Sequence, residues 1–192
     1  MADEITIVIA DDHPMFRRGL RQSLEECPDF KILSEAGDGK TALQMIQDIN
    51  PAVAILDISM PLMDGFAVAR ELQKANHQTR LIFLTAYQEE SIFEEAMQLG
   101  VKGYLLKESG LKEIVSCVEA VIADQHYTSP ALTTYLINLS RQPGGTNQPG
   151  LKDLADRTAR FETDLGIQDE PRNRRRVIYQ LPHCRNSPPE HL

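Results

Sequence analysis

The chain has 192 residues, of which 42% are hydrophobic and 25% charged; that is ordinary globular composition and excludes a fibrous, collagenous or disulfide-rich class. The net charge of −8 is unevenly held: eight Lys/Arg against seven Asp/Glu leave residues 151–192 at +1, so residues 1–150 carry −9. An acidic body of this kind repels nucleic acid and suits a metal ion or a basic partner.

The longest apolar stretches, ITIVIA at 5–10 and AVAIL at 52–56, are far too short to cross a bilayer, so no membrane association is expected. Asp3 and Glu4 stand where a secretory leader would be basic, which argues against a signal peptide. Cys27, Cys117 and Cys184 are odd in number, widely spaced and lack a CxxC pair. A reducing cytoplasm is the expected location.

Taken in chain order, short β-rich runs alternate with helical spacing over the first 125 residues. Residues 5–10 predict a first strand, and Phe16, Leu20, Leu24 and Cys27 then recur about once per turn. A second strand is predicted at 30–35, followed by a helix with Asp38 at its start and a stripe of Ala42, Met45, Ile46 and Ile49. Residues 53–57 predict a third strand, with Asp64 opening the next helix. Fourth and fifth strands are predicted at 81–85 and 102–106. Ser109 then caps a helix whose stripe is Ile114, Val115, Val118, Val121 and Ile122. Five β-α units imply an α/β fold, a doubly wound parallel sheet with helices on both faces. Residues 126–140 suggest one more, weaker helix, and RQPGGTNQPG at 141–150 has the composition of a flexible linker.

In such a sheet, chemistry gathers beyond the carboxyl ends of the strands. Asp11 and Asp12 follow the first strand, Asp57 ends the third, Thr85 ends the fourth and Lys107 follows the fifth. Three carboxylates gathered there cannot all stay charged without compensation. A hard divalent cation, Mg²⁺ or Mn²⁺, resolves the repulsion. Asp12 is the expected direct ligand, Asp11 a mainly water-mediated one, and Asp57 both ligand and nucleophile, with the Ser59 main-chain carbonyl completing the set. A carboxylate that attacks a phosphoryl group becomes an acyl phosphate. The Lys107 ammonium and the cation would stabilise the transferring oxygens, and the Thr85 hydroxyl could bond one of them.

Taken singly, these features are bland: an Asp-Asp pair is often a turn and a cap, and a lone lysine is usually solvated. Their joint placement at one edge of successive strands favours function. Two neighbouring motifs fall short. GDGKT at 37–41 would need a glycine at Ser34 to be a P-loop, and a dehalogenase-type Mg²⁺ phosphatase needs a second Asp where Ser59 stands. The five histidines lack metal-ligand spacing, and His13 reads as part of the loop after the acidic pair.

IVIADDHPMFRRGL, ILDISMPLMDG, FLTAY and GYLLKES resemble the signature segments of bacterial two-component response regulators, over about residues 4–123. The resemblance implies a (βα)5 flavodoxin-like receiver, phosphorylation of Asp57 by a sensor histidine kinase, and dephosphorylation by water. It describes a signalling phosphoacceptor rather than a conventional enzyme. Pro61 and Gly65 match the loop after the phosphorylated residue. Tyr104 matches an aromatic switch that turns inward as the Thr85 hydroxyl moves to the phosphate. Glu108 departs from the proline many receivers carry, and KES resembles the NarL/FixJ subgroup. That subgroup implies homodimers on phosphorylation, promoter DNA as a partner and transcription regulation.

Residues 124–150 would be a linker helix and flexible linker, and GLKDL at 150–154 resembles the entry to a LuxR-type helix-turn-helix. The match then stops. Pro171, Pro182, Pro188 and Pro189 interrupt any long helix, and five arginines without an acidic residue lie between 171 and 189. A one-base frame slip near Ala155 accounts for the break. With permitted codons, Arg157 to Arg172 and Arg172 to Asn186 read one base later as ERRVLKLISEYKTSR and EIADELYISYRTVE, which resemble a LuxR-type helix-turn-helix. Two of three letters in each shifted codon are largely set by the protein, leaving mainly the wobble base free. Residues 151–192 are thus expected to be an out-of-frame, disordered remnant, with DNA binding doubtful in this chain. The competing readings are a stand-alone receiver that titrates a kinase or pairs with an intact regulator, and a small Mg²⁺ phosphatase.

Overall fold

The computed structural model describes residues 4–86 and 89–134, apart from the side chains of Leu111 and Lys112. The linker at 141–150 and the segment 151–192 lie outside the described residues. Six parallel strands form one sheet: β1 (Ile5–Ala10), β2 (Phe30–Ala36), β3 (Val53–Asp57), β4 (Arg80–Thr85), β5 (Gly103–Leu106) and β6 (Tyr127–Thr128), in the order β2-β1-β3-β4-β5-β6. The helices between them are α1 (Pro14–Glu25), α2 (Gly39–Ile49), α3 (Gly65–Lys74), α4 (Glu90–Gln98) and α5 (Leu111–Ile122).

The central strands read as unbroken apolar runs because both faces are covered, as every residue of β3 and β5 is buried. Successive side chains point to opposite faces. One set, Ile7, Ile9, Val53, Ile55, Ile82 and Leu84, joins Leu20 and Leu24 of α1 and Ile114, Val118 and Val121 of α5 in a single core cluster. Helices α2 and α3 pack against each other and bury Ala42, Ile46, Phe66 and Val68. Each of the larger ones, Ile46, Phe66 and Val68, contributes about 1.5–3 kcal/mol when fully buried.

Local chemistry sets the helix starts. Pro14 opens α1, where its missing N–H is no loss. Asp38 caps α2 by accepting from the Thr41 N–H at 2.8 Å, and Asp64 caps α3 by accepting from the Ala67 N–H at 2.6 Å. Ser109 does not cap α5. It belongs to a 3-10 turn, Lys107–Ser109, and the cap falls on Gly110, whose φ of 88° suits a residue without Cβ. Cys27 lies beyond the end of α1 but is buried in the same cluster.

The five predicted strands are present with ends shifted by no more than one residue. The segment predicted as helical from 126 begins instead with β6, which pairs with Gly103 and Tyr104; residues 130–134 are helical. Ser129 and Leu132 are fully buried, so this piece belongs to the same compact unit as the sheet.

Candidate functional site

Between β1 and β3 the strand order reverses: the chain leaves β1 toward β2 on one side and returns to β3 on the other. Loops that diverge at such a point leave a crevice at the carboxyl ends of the strands. Asp11 follows β1, Asp57 ends β3, and Lys107 follows β5 as the chain enters its 3-10 turn. The strands therefore bring three residues, far apart in sequence, to one edge.

Asp57 is buried and its two oxygens are separately held. Oδ2 accepts from the Lys107 ammonium at 2.7 Å, and Oδ1 accepts from the Ser59 N–H at 3.2 Å. The same ammonium lies 2.8 Å from Asp11 Oδ2. Burial raises the Asp57 pKa above the ordinary carboxylate value; Lys107 opposes that shift, and Asp11 adds to it. For Lys107, burial lowers the pKa, but the bonds to Asp11 and Asp57 outweigh it and leave the ammonium strengthened. Its charge also sits over the Phe16 ring, 5.1 Å from the centroid.

Asp11 is fully buried, with Oδ1 accepting from the His13 N–H at 2.8 Å, and Oδ2 carries no hydrogen bond beyond its ion pair with Lys107. The Arg17 guanidinium donates to the Asp11 carbonyl and pairs with Glu35 at 3.3 Å, tying the acidic loop to β2. Asp12 is partly exposed, and the His13 Nδ1 lies 2.6 Å from its Oδ1. One ligand atom from each of Asp11, Asp12, His13 and Asp57 lies within 4.8 Å of the others. Three carboxylates gathered this closely, two of them buried, are a donor set that fits a hard divalent cation.

Thr85 ends β4 and is buried, one position beyond the Leu84 that pairs with Asp57. Tyr104 lies inside the protein, its ring edge-on to Phe93 with centroids 5.2 Å apart. Burial pushes its phenol up to about 12, with the Thr85 hydroxyl pulling the other way.

Two glycines shape the loop that carries the site. A Cβ on Gly65 would lie 2.6 Å from the Asp57 carbonyl oxygen, and one on Gly39 would lie 1.9 Å from the Met63 carbonyl oxygen. Glycine at 39 thus serves close packing of α2 on the β3–α3 loop.

The structure brings Asp11, Asp12, Asp57 and Lys107 together, with Ser59 beside them through its main-chain N–H. Thr85 and Tyr104 stand behind them on the neighbouring strands. Three contacts were not foreseen: His13 on the acidic pair, Phe16 under Lys107, and Arg17 on the Asp11 carbonyl. His13 and Phe16 were read only as a loop residue and a core residue. The sole signal was their place within one turn of the acidic pair.

A parallel sheet with an acidic trio and a lysine at its carboxyl edge defines an α/β protein with a candidate divalent-cation site. The response regulator receiver domain family matches residues 7–119, and the chain belongs to that family. It is 31% identical over 165 residues to the transcriptional regulatory protein DegU of Brevibacillus brevis, covering 86% of this chain and 70% of that one. It is 35% identical over 149 residues to a probable transcriptional regulatory protein NarL of Mycobacterium tuberculosis, covering 78% and 69%. The solved signal receiver domain of the M. tuberculosis NarL is 36% identical and superposes with a TM-score of 0.62, covering 64% of this chain and 99% of that one. A LuxR-family DNA-binding response regulator from Staphylococcus aureus is 34% identical with a TM-score of 0.60, covering 62% and 98%. The chain thus carries the receiver domain of a two-component response regulator, with NarL/DegU-type relatives. Among the described residues, no helix is long and apolar enough to cross a membrane.

Proposed function

We propose that Asp57 is the phosphoacceptor of a two-component phosphorelay and takes its phosphoryl group from the phosphohistidine of a sensor histidine kinase. The observation that carries this is the Asp57 carboxylate, buried at a strand end with one oxygen on the Lys107 ammonium and the acidic pair beside it. In the transfer, an Asp57 oxygen forms the new P–O bond as the P–N bond to the donor imidazole breaks. The imidazole leaves with the electron pair and is neutralised by a proton.

Asp11, Asp12, Asp57 and the Ser59 carbonyl would hold Mg²⁺ or Mn²⁺, which when bound supplies positive charge for the phosphoryl oxygens. Lys107 supplies the protein's own positive charge. The Thr85 hydroxyl bonds a phosphoryl oxygen, and Tyr104 occupies the space Thr85 leaves, which couples phosphorylation to the surface of β4, β5 and α4. Incubation with acetyl phosphate and Mg²⁺ should add one phosphoryl group to the wild type and none to Asp57→Asn. Equal labelling of both refutes the assignment. Multiple turnover on phosphate monoesters would favour a phosphatase instead.

The receiver spans 4–123 in this proposal, with a linker over 124–150 and a frame-slipped helix-turn-helix remnant over 151–192. The family role is phosphorylation-dependent transcription regulation, with homodimers forming on phosphorylation, in the cytoplasm. The departure from the LuxR-type pattern after Ala155 favours a second reading for this chain, a receiver acting alone on a kinase or an intact regulator. Gel shifts on promoter DNA, with and without phosphorylation, separate the two. The nucleotides of codons 150–192 should hold an intact helix-turn-helix in the alternative frame; their lacking one rules out the slip.

A further inference from the structure

His13 is the N-cap residue of α1, with φ −89° and ψ 102°, yet its side chain makes no capping bond. The ring turns to the acidic cluster instead. Nδ1 lies 2.6 Å from Asp12 Oδ1 and 3.5 Å from Asp11 Oδ1, while the residue's own N–H holds Asp11 Oδ1. One main-chain bond thus fixes the backbone of His13 to a carboxylate of the cluster its ring also faces.

Donors about 2.0–2.2 Å from a metal ion stand at most about 4.4 Å apart. The ligand atoms of Asp11, Asp12, His13 and Asp57 span 4.8 Å, so a shift of a few tenths of an ångström closes them round one ion. Asp11 Oδ2 is fully buried and has the Lys107 ammonium, 2.8 Å away, as its partner, so the donor set itself is what fits a cation here. The ring itself is 71% exposed, so no packing contact holds it away from such an ion.

Mg²⁺ prefers oxygen and holds its water, whereas imidazole nitrogen suits Co²⁺, Ni²⁺ and Zn²⁺. We infer that His13 makes the acidic cluster a mixed nitrogen–oxygen site. Its Nδ1 is a direct ligand for borderline transition-metal ions and not for Mg²⁺. The inference rests on the reading of Asp11, Asp12 and Asp57 as a divalent-cation site. Its consequence is a receiver whose cation occupancy responds to transition metals as well as magnesium.

The test is calorimetric titration of the full chain with Ni²⁺ and with Mg²⁺, counting only the Ni²⁺ that excess Mg²⁺ displaces, since other histidines can bind nickel elsewhere. Co²⁺ at the same site adds a ligand-field absorption spectrum that reports nitrogen coordination directly. Loss of a ligand or its immediate support costs about 10–100-fold in affinity. His13→Ala should therefore weaken the displaceable Ni²⁺ by about tenfold or more and alter the Co²⁺ spectrum, with Mg²⁺ affinity changed by less than about threefold. Equal weakening of both ions would show that His13 only orients Asp12, and no weakening would show that it is a bystander; either overturns the inference. If Mg²⁺ binds the wild type and Asp12→Ala abolishes it, the cation site stands even when the His13 inference fails. If Mg²⁺ binding is indifferent to Asp12→Ala and Asp57→Asn, the cation site and the inference fall together.

Discussion

Replacing Lys107 by methionine keeps the length and apolar stem of the side chain and removes its charge. Asp57 and Asp11 are buried, and the ammonium lies 2.7 Å and 2.8 Å from their oxygens. Removing one partner of a buried pair leaves an uncompensated charge, at about 3–5 kcal/mol. Lys107 is itself only partly buried, so the low end, about 3 kcal/mol, is appropriate. With a urea slope of about 2 kcal/mol/M, the unfolding midpoint of Lys107→Met should fall by about 1.5 M at neutral pH without divalent cation. The Asp57 pKa is already raised by burial, and the variant loses the lysine that opposed this. A carboxylate with a raised folded pKa is relatively favourable to folding below its unfolded pKa. That advantage disappears as pH climbs through the folded pKa. The gap between wild type and variant should therefore be widest at neutral pH and close as acid protonates Asp57. Millimolar Mg²⁺ should narrow it too. A pH-independent gap, or none at all, would refute the electrostatic account of the site.

Gly65→Ala and Gly103→Ala form a matched pair. Each places a Cβ 2.6 Å from an occupied position, the Asp57 carbonyl oxygen in one case and the Cys117 Sγ in the other, and each should cost about 1–3 kcal/mol in urea unfolding. Only Gly65→Ala should also slow acetyl phosphate labelling, because only there does the nucleophile's backbone have to move. Equal labelling rates would show that the Gly65 contact does not position Asp57. Tyr104 should stay neutral well past the ordinary phenol range, ionising near pH 12. The contribution of the buried neutral phenol to stability is intact below the unfolded value near 10 and is lost as pH rises through about 12. A tyrosinate absorbance step near pH 10 that disappears in Tyr104→Phe would place the hydroxyl in water instead.

The parallel sheet was legible because its strands are buried on both faces and appear as uninterrupted apolar runs, as in VAILD at 53–57. The helix starts at Asp38 and Asp64 were legible because a short carboxylate before a helical stripe has one obvious use. Ser109 misled because a hydroxyl near a helix start looks like a cap, while the chain needed the positive φ of Gly110 to turn out of Lys107. β6 was illegible: two residues have no periodicity, and only pairing with Gly103 and Tyr104 makes them a strand.

At the site, Asp11, Asp12, Asp57 and Lys107 could be collected from the strand ends alone, since the strand order converts sequence position into place. His13, Phe16 and Arg17 could not. Their contacts depend on which way the first turn of α1 faces, and the stripe that sets this contains Phe16 while saying nothing of His13 or Arg17. Gly39 was legible only as part of an incomplete phosphate-loop motif; its use, close approach to the Met63 carbonyl, depends on the packing of α2 on the β3–α3 loop.

The most direct measurement is chemical mapping of the phosphorylated residue. An acyl phosphate is reduced by borohydride, so an aspartyl phosphate leaves homoserine in its place. After treatment with acetyl phosphate and Mg²⁺, peptide mass spectrometry should find homoserine at position 57 and aspartate at positions 11 and 12. Homoserine at another carboxylate, or unchanged aspartate at 57 in a chain that carries phosphate, would contradict the account.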